Sequence, residues 1–230
     1  MTPGESQVTA GLKAVPAPRE LIPALPEDPL TRRALHLVIR EESAPIAHHS
    51  IRSALFARLL ADHRGAEPGC DYDPQLLFLA CVLHDIGLSE RGNGRQRFEV
   101  DGADAAAAFL TEQNLPAGQV DAVWEAIALH TSPGIAERRG TLCAFVRAGV
   151  GMDFGRDTDF ISDATGAAIH AAYPRLSMTT TLVDEVVAQA VARPEKAPPH
   201  SFPGGVLHER TTPPYRASIE ERTAAARWGN

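Results

Sequence analysis

Residues 73–87 read DPQLLFLACVLHDIG, a run of apolar residues that ends in the adjacent pair His84 and Asp85. The run has the length and composition of a buried helix, and Gly87 is a suitable residue to end it. Successive helical residues diverge by about 100°, so the two polar side chains can face one point only where the last turn unwinds. Because imidazole nitrogen and carboxylate oxygen are ligands of divalent metals, the pair predicts a metal site at this helix end.

Three further polar residues beside apolar runs strengthen this interpretation. His49 precedes the segment SIRSALF, His130 ends the segment WEAIALH, and Asp153 ends the segment TLCAFVRAGVGMD. Buried His and Asp side chains are costly unless they are paired or bind a metal, and one ion would satisfy several of them together. The candidate ligands are His49, His84, Asp85 and Asp153. Nitrogen and oxygen ligands of this kind suit Zn, Fe, Mn, Co or Ni without choosing among them.

The rest of the central chain also reads as helices. Apolar residues recur at intervals of three and four, and no stretch alternates strictly for long enough to indicate a strand. Asp73 and Pro74 suit the cap and the first turn of their helix, which places its start. The sequence therefore predicts an all-α bundle of roughly seven to nine helices. The helical segments are 30–42, 50–63, 73–87, 101–114, 117–130, 141–153, 163–173 and 181–193.

Proline marks the two ends of the predicted domain. Five of the 18 prolines lie in residues 1–26 and six lie in residues 194–230. Proline resists helix interiors, so we expect an N-terminal extension over 1–26, one helical domain over 27–193 and an extended Pro-rich arm over 194–230. A short helix is predicted within residues 216–227 of the arm. Because an extended segment needs a surface to order it, the arm is also a candidate contact between the subunits of a homo-oligomer.

Composition excludes several classes of protein. Of the 230 residues, 44% are hydrophobic and 22% are charged, which provides for a core and argues against disorder. The net charge of −7 repels phosphate backbones, so nucleic acid is not an expected partner. The lack of a membrane-spanning run, a secretory signal or a disulfide framework predicts a cytoplasmic protein. The use of 20 Arg, 2 Lys and 37 Ala is typical of a GC-rich bacterial genome.

The order His, then His-Asp, then Asp on a helical chain resembles the HD-domain superfamily of metal-dependent phosphohydrolases. Five segments, which follow one another at typical intervals, are similar to the cyanamide hydratase-like branch of that superfamily. The resemblance covers about residues 21–190, nearly the whole predicted domain. The segments are HSIRS (49–53), CVLHDIG (81–87), RFEVDGADAA (97–106), EAIALHT (125–131) and RAGVGMDFGR (147–156).

The resemblance implies a role for each candidate residue. The first histidine of the family corresponds to His49 rather than His48, because His49 shares a helix face with Arg52. Asp153 corresponds to the last metal ligand, and His130 corresponds to a further active-site histidine that contacts substrate or a second metal. A mononuclear site is implied, since the extra histidines of dinuclear relatives are not evident. Zinc is the first choice for the metal.

The resemblance further implies an enzyme that hydrates a small nitrile-type substrate such as cyanamide, through a water molecule activated by the metal. His130 is the candidate general acid or base, and Asp85 can orient the water. A structural ion pair is an equal alternative to a substrate contact for Arg52. The candidate substrate contacts are Arg52, Thr131, Ser132 and Glu99.

Two other functions stay open. One is hydrolysis of a nucleotide or another phosphomonoester, the wider activity of the superfamily. The arginines of the loop 91–97 favour it, and the scarcity of other cations around the motifs opposes it. The other is a non-catalytic domain that binds a small ligand, which the intact set of four ligand residues opposes.

Overall fold

The computed structural model describes residues 22–212 and 218–230, and over these ranges the chain is helical with no β-strand. The prediction of an all-α bundle is confirmed. Asp73 caps its helix as predicted, because its carboxylate accepts the amides of Gln75 and Leu76. The helices are α1 (Pro29–Glu41), α2 (Ala44–His63), α3 (Pro74–Leu83), α4 (Phe98–Glu112), α5 (Ala117–Leu129), α6 (Thr141–Asp153), α7 (Asp163–Ala172), α8 (Met178–Ala192), α9 (Phe202–Thr211) and α10 (Ile219–Ala224).

The start of α2 differs from the prediction in a way that matters for His49. The sequence pattern predicts a helix from Ser50, whereas α2 begins at Ala44, with Ser43 in the capping position. Pro45 lies in the first turn, where proline is tolerated because the amide hydrogen it lacks would have no helical partner. His49 therefore lies inside a regular helix, and its direction is fixed by the rotation of α2.

A close crossing of α2 and α6 sets the geometry behind the site. A side chain on Gly149 would collide with the backbone carbonyl of Ser53, so only glycine permits this approach. His49 lies one turn before Ser53 on α2, and Asp153 lies one turn after Gly149 on α6. Because side chains four residues apart share a helix face, the crossing brings His49 and Asp153 together.

A second close approach corrects the role of Gly87. The prediction that Gly87 ends α3 is wrong, since α3 ends at Leu83 and Gly87 lies in a 3-10 turn over Ile86–Leu88. A side chain at Gly87 would collide with the carbonyl group of Phe98 at the start of α4. The glycine is thus required for contact between the turn and α4, not for the end of the helix.

The C-terminal segment is more helical than the predicted extended arm. The predicted short helix is present as α10, and α9 forms in addition. Ser201 caps α9 by accepting the amide of Gly204, and Pro203 lies in its first turn, so proline here begins a helix rather than preventing one. Val206 of α9 is buried in an apolar cluster with Leu182 of α8, which holds the segment against the bundle.

Over the described residues, no helix has the length and apolar character needed to cross a membrane. The three cysteines are free: Cys70 is exposed, and Cys81 and Cys143 are buried. The predicted N-terminal extension over residues 1–26 lies mostly outside the described residues, which begin at Ile22.

Candidate metal centre

His84 and Asp85 lie at the point where α3 gives way to the 3-10 turn. His84 follows the last helical residue, and Asp85 has φ −102° and ψ 7°, outside regular helical geometry. This local unwinding turns both side chains to one side, as the position of the pair at a helix end predicts. The Nδ1 of His84 donates to the carbonyl of Cys81 at 2.7 Å, which directs Nε2 into the site.

His49 reaches the same point from α2. Its Nδ1 donates to Oδ2 of Asp153 at 2.7 Å, and its Nε2 therefore faces inward. The neighbouring His48 points away, with its Nδ1 donating to the carbonyl of Pro174 at 2.9 Å.

The inward atoms of three residues converge on one point. The Nε2 atoms of His49 and His84 are 3.2 Å apart. Oδ2 of Asp85 lies 3.1 Å from Nε2 of His84 and 3.6 Å from Nε2 of His49. Ligand atoms bound tetrahedrally to one ion at about 2.0–2.1 Å are about 3.3 Å from one another, so these separations fit a shared metal ion. These three residues form a group that could hold a metal ion.

The chemistry of the group also suits a cation. Both carboxylate oxygens of Asp85 are buried without a hydrogen-bond partner in the described part of the chain. Burial opposes ionisation of Asp85, but His84 outweighs it and holds the pKa of the carboxyl well below its usual range. Burial equally opposes a charge on His84, yet Asp85 raises the pKa of this imidazole. One proton would satisfy one pair of atoms, whereas a divalent ion would satisfy the carboxylate and both imidazoles together.

Asp153 lies behind this group and not in it. Nε and Nη2 of Arg52 donate to the two carboxylate oxygens at 2.7 and 2.8 Å. Nη1 of Arg175 adds a contact of 3.1 Å to Oδ1, and His49 occupies Oδ2 as well. Burial opposes the charge of Asp153, but the neighbouring Arg52 holds the pKa far below its usual range. The predicted fourth ligand thus orients His49 from the far side of its ring, the arrangement that commonly fixes a metal-binding imidazole.

Arg52 makes contacts within the bundle, and a structural ion pair was one of the two roles predicted for it. Its side chain is fully buried, and besides Asp153 it donates to the carbonyls of Tyr173 and Pro174. It is not among the residues that line the cavity described below. Its contacts tie α2 to α6 and to the chain after α7.

His130 stands beside the group at the end of α5. Its Nδ1 donates to the carbonyl of Ile127 at 2.6 Å, and its Nε2 lies 3.7 Å from Oδ1 of Asp85. Burial and then the charge of His84 lower the pKa of His130 to about 3. His130 is therefore neutral near pH 7, and its Nε2 offers a lone pair to the site.

The other three predicted substrate contacts differ in where they lie relative to the cavity. Thr131 lines the cavity, and its hydroxyl donates to Oε1 of Glu99 at 2.7 Å. Glu99 is fully buried behind Thr131, and burial raises the pKa of its carboxyl. Ser132 is half-buried and does not line the cavity. The structure thus brings Thr131 to the site, with Glu99 as its support.

A cavity of about 440 Å³ opens onto His49, His84, Asp85 and His130. Most of its remaining walls were not predicted from the sequence. Arg147 and Arg156 are the first and last residues of the segment RAGVGMDFGR, so the sequence did contain a signal for these two. The C-terminal wall gave no signal beyond apolar residues in a Pro-rich segment. Phe98, in the segment RFEVDGADAA, lines the cavity as well. The lining residues that were not predicted from the sequence are Pro133, Arg147, Val150, Gly151, Phe154, Gly155, Arg156, Leu182, Phe202, Ile219, Arg222, Thr223 and Ala226.

Comparison with known proteins agrees with this geometry. The family described as HD domain matches residues 46–189, more than half of the chain. Two proteins of Saccharomyces cerevisiae, named cyanamide hydratase DDI2 and cyanamide hydratase DDI3, are each 29% identical to the chain over 191 residues. The aligned region covers 79% of this chain and 83% of each relative.

Proposed function

Because the chain belongs to the HD-domain family, we propose that it is a metal-dependent enzyme that hydrates a nitrile-type substrate, with cyanamide the first candidate. The observation that carries the proposal is the convergence of two imidazole nitrogens and a carboxylate oxygen that have no donor between them. The names of the two yeast relatives supply the reaction. Zinc is the proposed metal, since two imidazoles and one carboxylate leaving a position open are typical of catalytic zinc.

His49, His84 and Asp85 would hold the ion, and Asp153 would keep His49 in the tautomer that presents Nε2. A bound divalent ion would lower the pKa of a water molecule from 15.7 to about 7 and polarise the nitrile group.

His130 and Asp85 would position the attacking water. Nε2 of His130 and Oδ1 of Asp85 are both acceptors and lie 3.7 Å apart, so one water molecule can donate a hydrogen to each. As the oxygen bonds to the nitrile carbon, His130 accepts the proton and then returns it to the nitrile nitrogen. This transfer would give the imidic acid, which for cyanamide is isourea. Movement of the remaining O–H proton to nitrogen would then give the amide, which for cyanamide is urea.

Thr131 would orient the substrate. Its hydroxyl hydrogen is committed to Glu99, so the oxygen presents a lone pair to the cavity. An N–H of cyanamide is a suitable donor to that lone pair. This places Glu99 in a supporting role and not in contact with the substrate.

The experiment is a paired measurement of metal content and urea formation. The full chain, purified without added metal, should contain about one divalent ion and convert cyanamide to urea. His84→Ala should lose both the ion and the activity, while His48→Ala, which removes a histidine outside the group, should keep both. Stoichiometric metal with no urea formed would refute cyanamide as the substrate.

Phosphomonoester hydrolysis is the second candidate. The three arginines in the cavity wall favour it, because phosphate charge requires compensation. Release of inorganic phosphate from a panel of nucleoside monophosphates, by metal-loaded protein that leaves cyanamide unchanged, would select this function. Metal binding without turnover of either substrate class would favour a ligand-binding domain.

A further inference from the structure

We propose that the cavity takes a substrate considerably larger than cyanamide: an organic anion with an apolar body, whose anionic group pairs with Arg156. The inference rests on the proposed function, because it takes the group of His49, His84 and Asp85 as the reaction centre. It adds the chemical class of the ligand and the part of the chain that selects it.

The cavity is much larger than cyanamide. Cyanamide has three non-hydrogen atoms and fills on the order of 50 Å³, comparable with two water molecules at about 30 Å³ each. The cavity measures about 440 Å³. Pockets of roughly 300–1,000 Å³ hold ligands of the size of a drug or a cofactor. A site devoted to cyanamide would leave most of this space to water.

The walls of the cavity are largely apolar. Phenyl rings of three residues and several aliphatic side chains form them, which is suited to an apolar ligand body. The C-terminal wall comes from α9, α10 and Ala226, which lie beyond the family match at residues 46–189. Among the apolar lining residues are Phe98, Val150, Phe154, Leu182, Phe202 and Ile219.

The charged groups in the cavity wall are mostly positive. Three arginines line the cavity, against one carboxylate, that of Asp85. Arg147 pairs with Glu137 at 3.0 Å. Arg222 lies 3.6 Å from Glu209. Arg156 is exposed and has no ion-pair partner over residues 22–212 and 218–230. An arginine of this kind at the wall of an apolar cavity is suited to a carboxylate or a similar anion.

The test measures binding by calorimetry on the full, zinc-loaded chain, with 2-naphthoate and its neutral counterpart 2-naphthamide as probes. Wild-type protein should bind 2-naphthoate about tenfold more tightly than 2-naphthamide, as expected for one charge-assisted contact. Arg156→Gln should remove this preference and leave 2-naphthamide binding unchanged. Arg33→Gln, which removes an exposed arginine on α1 away from the cavity, should leave both affinities unchanged.

A second variant tests whether the apolar wall binds the ligand body. Ile219→Trp adds bulk to the C-terminal wall and should weaken the binding of both probes at least tenfold, provided that the melting temperature shows an intact fold. Equal wild-type affinities for the two probes, or a preference for 2-naphthoate that persists in Arg156→Gln, would overturn the role of Arg156. Failure of both probes to bind at millimolar concentration would overturn the ligand class.

The binding of the two probes and the hydration of cyanamide can fail independently of each other. Arg156-dependent binding of 2-naphthoate by a protein that hydrates no nitrile would remove the reaction and keep the ligand class. Hydration of cyanamide by a protein that binds neither probe would keep the reaction and remove the ligand class.

Discussion

Replacing Asp153 by Asn tests whether this residue holds the metal or holds His49. Asp153 takes five donor contacts from three side chains: His49, Arg52 and Arg175. One of these goes to the backbone carbonyl and four go to the carboxylate oxygens. Asn keeps one acceptor oxygen and turns an amide group toward a donor in either orientation. The variant therefore disturbs the support of His49 without removing an inward-facing atom.

The expected magnitudes follow from this geometry. Loss of a supporting group typically weakens metal affinity roughly 10- to 100-fold, whereas loss of a direct ligand removes stoichiometric binding. Arg52 is fully buried, and Asn leaves it without a countercharge, which costs roughly 3–5 kcal/mol of unfolding free energy. For a domain of this size, each kcal/mol lowers the melting temperature by about 2–4 °C. We therefore expect a decrease of roughly 6–20 °C.

The assay is competition for zinc between the protein and a chromophoric chelator, with melting temperatures recorded in excess chelator. Asp153→Asn should bind zinc weakly, and Asp85→Asn should retain none. Asp121→Asn, at an exposed position of α5, should match the wild type in both measurements. Equal and complete loss of zinc in Asp153→Asn and Asp85→Asn would make Asp153 a direct ligand and refute the reasoning.

Three further measurements test the fold. Gly149→Ala should lower the unfolding free energy by about 1–3 kcal/mol in urea titrations, because its new methyl group meets the backbone of α2. Gly118→Ala, in open space on α5, should instead raise the unfolding free energy by up to about 1 kcal/mol, and a loss at both positions would contradict this. With a thiol reagent at pH 8, exposed Cys70 should react quickly, while Cys143, whose pKa burial raises to about 11, should react only on unfolding. Lys196 forms a buried ion pair with Asp101. Lys196→Met removes the cation of this pair and should lower the unfolding free energy by roughly 3–5 kcal/mol, so an unchanged melting temperature would refute the ion pair.

The local features of the site could be predicted from the sequence. The pair of His84 and Asp85 ends an apolar run, and both consequences, a helix end and two side chains turned to one point, depend on neighbouring residues alone. The all-α class follows in the same way from short-range periodicity.

The role of Asp153 could not be predicted in this way. Whether Asp153 meets Nδ1 or shares an ion with Nε2 of His49 depends on the rotation and crossing of α2 and α6. That crossing is set by Gly149 and Ser53, which are distant in the sequence. No pattern within one helix records which side of an imidazole its partner approaches.

The prediction of an extended C-terminal arm was wrong for a different reason. Its prolines indicate an extended chain when they are counted, but each effect of proline depends on position. Pro203 lies in the first turn of α9, where its missing amide hydrogen has no cost. The stabilising contact is the burial of Val206 against α8, which a count of prolines does not include.

The division of the cavity between family and C-terminal segment bears on what the relatives imply. The atoms that would hold the ion lie within residues 46–189, whereas Phe202, Ile219 and Thr223 lie outside that match and face the same cavity. An enzyme selects its substrate through the contacts of its pocket, and a single methylene there changes discrimination by only about 1–3 kcal/mol. At 29% identity, the relatives therefore inform the reaction at the metal more than the size of the substrate. A cavity of about 440 Å³ is the stronger guide to size, because its walls belong to this chain.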